Sequence, residues 1–169
     1  MLNKKGYSLI ELLVGLAIIG LIFGLSLSFY KNNNKNNFID EDAYLLKTNI
    51  IKIENMTYSG QSNTKFSENN NYGIYFNINN NTNKYFLYKD LNLDNHYSAN
   101  EVFETVETNN SVINSLYSGS SMDLLFKSNG DIFLNGIKTS LTNINISLMY
   151  NNVIKSVYLN SLTKTINIQ

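Results

Sequence analysis

One short segment of this sequence brings together several oxygen-bearing side chains at a spacing that suits a hard metal ion. Asp90, Asn92, Asp94 and Glu101 stand at positions 1, 3, 5 and 12 of a loop, the positions from which an EF-hand supplies ligands to calcium. Asn95 replaces the EF-hand glycine, and Asn tolerates the left-handed backbone conformation. The flanks favour strands, so this is not an EF-hand. The segment predicts either a calcium loop or a hairpin loop whose Asp and Asn side chains bind their own backbone.

A second candidate is a lone carboxylate in an apolar stretch near the N-terminus. Glu11 is the only charged residue from Tyr7 to Tyr30. A helix of that length would extend about 36 Å, enough to cross a bilayer core of about 30 Å. A carboxylate in such a helix costs about 2.5–3.5 kcal/mol at the bilayer centre and less near the interface. Glu11 therefore either pairs with a positive group of a neighbouring chain or reaches the water at the interface.

The residues around Glu11 resemble the class III signal of type IV pilins and pseudopilins. From residue 4 to residue 14 they read Lys-Lys-Gly-Tyr-Ser-Leu-Ile-Glu-Leu-Leu-Val. In that family a prepilin peptidase cuts after the glycine and methylates the new amine, which the resemblance places between Gly6 and Tyr7. The family usually has Phe in place of Tyr7. Glu11 would become the fifth residue of the mature chain and pair with the N-terminus of a neighbouring subunit.

Helical periodicity predicts a second helix that would pack on a globular head. The tract Lys31–Asn37 is rich in Asn and predicts a hinge or break after the apolar helix. The segment Phe38–Tyr58 predicts an amphipathic helix, with the acidic run 40–42 in its first turn, where negative charge favours the helix dipole. Its apolar residues recur at intervals of 4, 3, 4 and 3 on one stripe: Ile39, Ala43, Leu46, Ile50 and Ile53.

Beyond Gly60 the pattern changes to the alternation of β-strands. Predicted strands are Tyr72–Asn77, Lys84–Lys89, Val102–Val106, Met122–Lys127, Asp131–Leu134, Ile144–Tyr150, Val153–Leu159 and Thr165–Ile168. Turns are predicted at 79–83, at Asn129-Gly130 and at Asn151-Asn152. The predicted fold is α+β: a long N-terminal α-helix, membrane-spanning in its first half and amphipathic in its second, packed on a mostly antiparallel sheet. The expected organisation is a leader at 1–6, an assembly helix at 7–30 and an extracytoplasmic head at 31–169, with its helix near 38–58 and a β-rich part at 72–169.

The strand region resembles the GspH/FimT-like branch of minor pseudopilins. The resemblance rests on the texture of the first hairpin and on a spaced Phe before the Asn-Gly turn: Tyr72-Gly73-Ile74, Tyr85-Phe86-Leu87-Tyr88-Lys89-Asp90, and Phe126 before Asn129-Gly130. Some members of the branch bind DNA through basic residues near the C-terminus, where a Gly followed by Arg is common. This chain has Ser161-Leu162-Thr163-Lys164 there and contains no Arg, so a nucleic-acid partner is not expected.

Composition narrows the function further. The chain has no Cys, one His, and 13 Lys balanced by 13 acidic residues, which excludes Cys-ligated zinc, thiol catalysis and long-range attraction to anionic partners. His96 has no nucleophile signature beside it, so no enzyme is predicted and no cofactor is required; calcium is the one candidate.

We therefore expect a minor pilin or pseudopilin, a structural subunit of a type II secretion, type IV pilus or competence machine. Its expected partners are the prepilin peptidase, other pilin-like subunits contacted through the N-terminal helix, and the bacterial inner membrane. The chain would cross that membrane once, with a cytoplasmic N-terminus and an extracytoplasmic head, before moving to a filament at the cell surface or in the periplasm. The alternative is a signal-anchored extracytoplasmic domain that binds a ligand or calcium and never polymerises.

Overall fold

The structure is a computed structural model that describes residues 8–59, 70–79, 83–140 and 143–169. The chain divides into two compact units, residues 1–36 and residues 37–169. The first unit contributes the apolar part of the single long helix. The second contributes the rest of that helix and all of the described strands.

Helix α1 comprises Leu9–Ser59, a length of 51 residues. The break that was one of the two predictions for Lys31–Asn37 is wrong, because α1 includes that tract, whereas the other, a hinge, stays a prediction. Asn is at most about 0.7 kcal/mol less favourable than Ala in a helix. Helix propagation is cooperative, so existing turns on both sides extend through a tract of moderate formers more easily than a new helix can start beyond it.

The described strands and one short helix follow α1 in chain order. The strands are β1 (Tyr72–Asn77), β2 (Lys84–Lys89), β3 (Val102–Glu107), β4 (Val112–Leu116), β5 (Ser121–Phe126), β6 (Ile132–Leu134), β7 (Ile137–Lys138), β8 (Ile144–Tyr150), β9 (Val153–Asn160) and β10 (Thr165–Ile168). A 3₁₀ helix, Ala99–Glu101, immediately precedes β3. Each predicted strand is present with bounds that agree to within one residue, whereas β4 and β7 were not predicted.

These strands form two sheets. The first has six strands in the order β3-β2-β1-β5-β6-β7, and the second has four in the order β10-β9-β8-β4. Every pairing is antiparallel. The predicted α+β class is confirmed, although the sequence pattern did not show that the strands divide between two sheets.

Two predicted turns have the backbone conformation that their residues favour. Asn151 and Asn152 join β8 to β9 with φ angles of 47° and 65°, and two successive positive φ angles are characteristic of the type I′ hairpin turn. Gly130, between β5 and β6, has a φ of 90°, which glycine adopts without a side-chain penalty. The predicted turn at 79–83 lies partly outside the described residues, but β1 and β2 pair as expected.

The predicted apolar stripe of α1 is buried in the core of residues 37–169. Its five members are 0% exposed and belong to one cluster with residues of both sheets, among them Ile74 and Phe76 of β1 and Ile146 and Leu148 of β8. Burying one such side chain contributes about 1.5–3 kcal/mol. The amphipathic half of the helix therefore joins the two sheets through a shared core.

The acidic run 40–42 does not lie in a helix first turn, because α1 begins at Leu9. Asp42 is fully buried, and its carboxylate accepts hydrogen bonds of 2.7–3.0 Å from the backbone N–H groups of residues 109–111. The Ser111 hydroxyl donates to it at 2.8 Å. Asp40 instead forms a partly exposed ion pair of 2.6 Å with Lys155. Asp42 thus fixes the loop between β3 and β4 to the helix.

Candidate functional site

The start of α1 contains a capping box that involves the lone carboxylate of the apolar segment. The Ser8 backbone N–H donates to Glu11 Oε2 at 2.9 Å, and the Glu11 N–H donates to Ser8 Oγ at 3.3 Å. This reciprocal pair satisfies two backbone donors that a helix N-terminus otherwise leaves without partners. The negative charge of Glu11 also lies in the first turn, where it is favoured by the helix dipole.

The capping box supplies a role for Glu11 that the two earlier interpretations did not include. The Ser-x-x-Glu pattern at Ser8–Glu11 is visible in the sequence and could have revealed it. In the described structure Glu11 has partners within its own chain. Gly6 and Tyr7, the predicted cleavage residues, lie outside the described residues, and cleavage between them stays a prediction.

The apolar part of α1 presents its side chains outward. Leu9–Ser26 has a mean hydropathy of 2.5, and none of this window is buried. Among the described residues it is the one helical segment long and apolar enough to cross a membrane, with a length of about 27 Å at 1.5 Å per residue. Most of its large apolar side chains are exposed, among them Leu21 at 70% and Phe23 at 67%. Such a surface requires lipid or other helices around it.

A comparison with known protein families agrees with an exposed apolar helix at the N-terminus. Residues 1–27 match the family model of the prokaryotic N-terminal methylation motif. The chain carries a class III prepilin signal. No curated protein and no solved structure matches the chain.

The prepilin signal indicates a type IV pilin-like or pseudopilin precursor, and proteins with this signal are structural subunits. It implies processing by a prepilin peptidase and assembly with other pilin-like subunits. Together with the exposed apolar helix it indicates a single-pass membrane anchor. The match ends at residue 27, so it describes the prepilin signal and the first turns of α1 and not the head.

The second candidate is the segment between β2 and β3, which we call the β2–β3 loop (residues 90–101). Its middle is fixed to β5, because the backbone N–H of Tyr97 donates to Asp123 Oδ2 at 2.6 Å. The hydroxyl of Tyr88 donates to the other Asp123 oxygen. A methyl group at Gly73 would lie 2.4 Å from the Tyr88 ring, so this glycine of β1 leaves the space in which Tyr88 lies.

Glu101 lies beside the start of the loop. Its Oε1 accepts hydrogen bonds from the backbone N–H groups of Leu91 at 2.9 Å and Asn92 at 3.2 Å. Asp90 Oδ2 accepts one from the Asn95 N–H at 3.3 Å. Asp90 is 1% exposed and Glu101 is 4% exposed. The structure therefore brings the first and last of the four predicted ligands together in a buried position.

The other two predicted ligands have a different arrangement. Asn92 and Asp94 are exposed, and the Asn92 side-chain amide donates to Asp94 Oδ2 at 2.9 Å. The Asn92 Oδ1 accepts from the Asp94 N–H at 3.1 Å, and the Asp94 Oδ1 accepts from the His96 N–H at 2.8 Å. These are the local side-chain-to-backbone bonds of the capped-loop alternative.

Asn95 also lies in this loop, although the sequence predicted it only as a replacement for the EF-hand glycine. It has a φ of 66°, as that prediction requires. Within the described part of the chain, its side-chain oxygen is buried without a hydrogen-bond partner, as are Asp90 Oδ1 and Glu101 Oε2. Burial raises the pKa of Asp90, and the negative charges of Glu101 and Asp94 raise it further. No group of three or more His, Cys, Asp or Glu residues forms a metal-binding cluster among the residues described, so the set at this loop is two carboxylates and an amide.

Proposed function

We propose that this protein is a minor pilin or pseudopilin, a non-catalytic structural subunit of a type IV filament-like machine. The prepilin peptidase would cut it between Gly6 and Tyr7 and methylate the Tyr7 amine. The observation that carries the proposal is the methylation-motif match at residues 1–27, which overlaps an apolar helical segment, Leu9–Ser26, in which no residue is buried.

The uncovered helix supports a role in assembly. In the membrane, lipid surrounds the apolar side chains of Leu9–Ser26. In a filament, the corresponding helices of other subunits would replace that lipid, and van der Waals packing would hold them together. The head would stay extracytoplasmic, while the cleaved N-terminus begins on the cytoplasmic side of the inner membrane. Assembly would then carry the subunit to the periplasm or the cell surface.

The branch and the machine are finer parts of the same proposal. Assignment to the GspH/FimT-like minor pseudopilins is supported by the β1–β2 hairpin, where Gly73 gives space to Tyr88. Type II secretion, type IV pilus biogenesis and competence all use such subunits. A balanced charge and the absence of Arg favour roles without direct DNA binding, because duplex recognition depends on neutralising phosphates with Lys and Arg.

Glu11 would exchange its capping bonds for an intersubunit pair during assembly. Cleavage creates a positive amine at Tyr7, next to the Ser8 N–H to which Glu11 is already bonded. A staggered neighbour would present its own amine to the same carboxylate. Hydrogen bonds between charged groups contribute about 1.5–3 kcal/mol, which corresponds to roughly 10- to 150-fold in an association constant.

Two variants distinguish a role of Glu11 in assembly from its role in capping the helix. Glu11→Ala should insert normally, since a costly charge is removed, but its recovery in sheared filaments or in cross-linked initiating complexes should fall at least about tenfold. Ser8→Ala removes the hydroxyl half of the capping box and leaves the carboxylate, so it should assemble at close to the wild-type level. The measurement is an immunoblot of membrane and assembled fractions from the native host.

If Glu11→Ala assembles like the wild type, the intersubunit role is wrong and Glu11 is a helix cap. The second candidate function, a signal-anchored ligand-binding domain, is favoured by the unpartnered oxygens of the β2–β3 loop. It predicts that the wild-type chain itself stays in the membrane fraction and cross-links to no pilin-like subunit.

A further inference from the structure

Three buried oxygen atoms in the β2–β3 loop lack hydrogen-bond partners in the structure as described: Asp90 Oδ1, Asn95 Oδ1 and Glu101 Oε2. Buried polar atoms are nearly always satisfied, and one left unpaired costs about 1–3 kcal/mol, more when it is charged. All three atoms are acceptors when the carboxylates are ionised. Each atom therefore needs a cation, a bound water or a proton as its partner.

Hydrogen bonds hold the three residues next to one another. Asn95 donates its N–H to the second carboxylate oxygen of Asp90. Glu101 accepts from the backbone of Leu91, the residue that directly follows Asp90. In both carboxylates one oxygen thus accepts hydrogen bonds that shape the loop, and the other is buried without a hydrogen-bond partner among the described residues.

We propose that the β2–β3 loop binds one calcium ion through Asp90 Oδ1, Asn95 Oδ1 and Glu101 Oε2. Two carboxylates neutralise the double charge, and carboxylate and amide oxygens are ligands that calcium accepts. Main-chain carbonyls and water complete the usual six to eight ligands in such sites. Asn92 and Asp94 would shape the loop from its exposed side. This site does not depend on the proposed function, because it belongs to residues 37–169 alone.

Calcium fits this loop better than magnesium. Magnesium requires near-ideal octahedral geometry and keeps several waters, whereas calcium accepts irregular oxygen sets from a protein loop. Extracellular calcium modules commonly have dissociation constants of about 10⁻⁴–10⁻³ M, and we expect the same range for this site.

The test uses the full-length chain, purified in detergent micelles and stripped with a chelator. Isothermal titration with calcium chloride at neutral pH should show one site. Thermal unfolding followed by near-ultraviolet circular dichroism should shift upward by about 5 °C at a calcium concentration ten times the dissociation constant. Magnesium at the same concentration should produce a shift less than half as large.

Two matched variants test the ligand set. Glu101→Gln should lose at least about tenfold in calcium affinity, because it removes one of the two ligand charges. It should keep its chelator-state melting temperature, because the Gln oxygen can still accept from the Leu91 and Asn92 N–H groups. Asp94→Asn removes an equal charge from the same loop and should bind calcium within about threefold of the wild type. Circular dichroism in chelator confirms that each variant is folded.

Absence of both heat and a melting shift at 10 mM calcium, a concentration about tenfold above the weak end of the usual range, would overturn the site. So would a wild-type melting temperature that rises on acidification and is unchanged by calcium, because a proton and not a cation would then satisfy the buried oxygens. Loss of binding in Asp94→Asn together with normal binding in Glu101→Gln would overturn the ligand assignment.

Discussion

The two halves of α1 differ in the burial of their apolar side chains. In the segment Leu9–Ser26 no residue is buried, whereas the stripe at residues 39–53 is completely buried against strands of both sheets. In the first half only the prepilin signal is distinctive, because a high apolar content is common to membrane-spanning helices. In the second half the regular spacing of the apolar residues is distinctive. The comparison indicates that the first half needs surroundings to be stable, while the head is stabilised by its own contacts.

The same substitution in both halves gives the largest expected effect. Leu46 is 0% exposed and Leu13 is 57% exposed. Leu46→Ala should lower the free energy of unfolding of the head by about 2–5 kcal/mol, because it removes buried apolar contacts and leaves a cavity. Leu13→Ala should leave the head unchanged within about 0.5 kcal/mol. Urea unfolding of the full chain in micelles, followed by near-ultraviolet circular dichroism, measures both.

Equal losses in the two variants would mean that the apolar helix contributes to the stability of the head, and the contrast between the halves would fail. A loss confined to Leu46→Ala would support it. Far-ultraviolet circular dichroism of both variants provides the control for helix content.

A smaller effect on stability is expected from polar groups, which are buried in the head and not in the apolar helix. Burial raises the pKa of Tyr85, whose hydroxyl oxygen accepts from the Asn49 side chain at 2.8 Å. The Tyr85 hydroxyl therefore stays protonated above pH 10 in the folded state, whereas it loses its proton there in the unfolded chain. Stability should fall as the pH rises above about 10, by about 1.4 kcal/mol per pH unit for this residue.

Tyr85→Phe should reduce that alkaline slope by the same amount, although it lowers stability at neutral pH by leaving Asn49 without its partner. Phe76→Leu, at a fully buried neighbour of Tyr85, is the control, because it destabilises the head without removing an ionisable group. Urea midpoints between pH 8 and pH 11.5 give the slopes. An unchanged slope in Tyr85→Phe would show that Tyr85 ionises equally in both states.

The regular elements were readable from the sequence because their signals are local. The spacing from Ile39 to Ile53 identified the buried face of α1, and the alternation around Tyr85 identified the first hairpin. Strand β4 was missed because its central Asn and Ser weaken the alternation, and it is stabilised by pairing with β8, whose Ile146 lies opposite Leu116. Long-range pairing of this kind leaves little trace within a short window of sequence.

The prediction of the candidate sites from sequence is limited in the same way. The spacing singled out Asp90 and Glu101 as candidate ligands, whereas the role proposed for the Asn95 side chain rests on a left-handed backbone and on burial that spacing does not reveal. Asp42 was assigned to a helix first turn, whereas it binds a loop 67 or more residues away. Composition and periodicity locate polar residues along the chain and do not identify their distant partners.

The most direct test of the central claim is mass spectrometry of the N-terminus. The protein should be isolated from membranes of its native host, which must contain a prepilin peptidase, and compared with a Gly6→Leu variant. The wild-type chain should begin at an N-methylated Tyr7, because glycine lets a narrow protease site approach the backbone, and the variant should keep residues 1–6. A wild-type chain that still begins at Met1 would contradict the assignment as a processed pilin-like subunit.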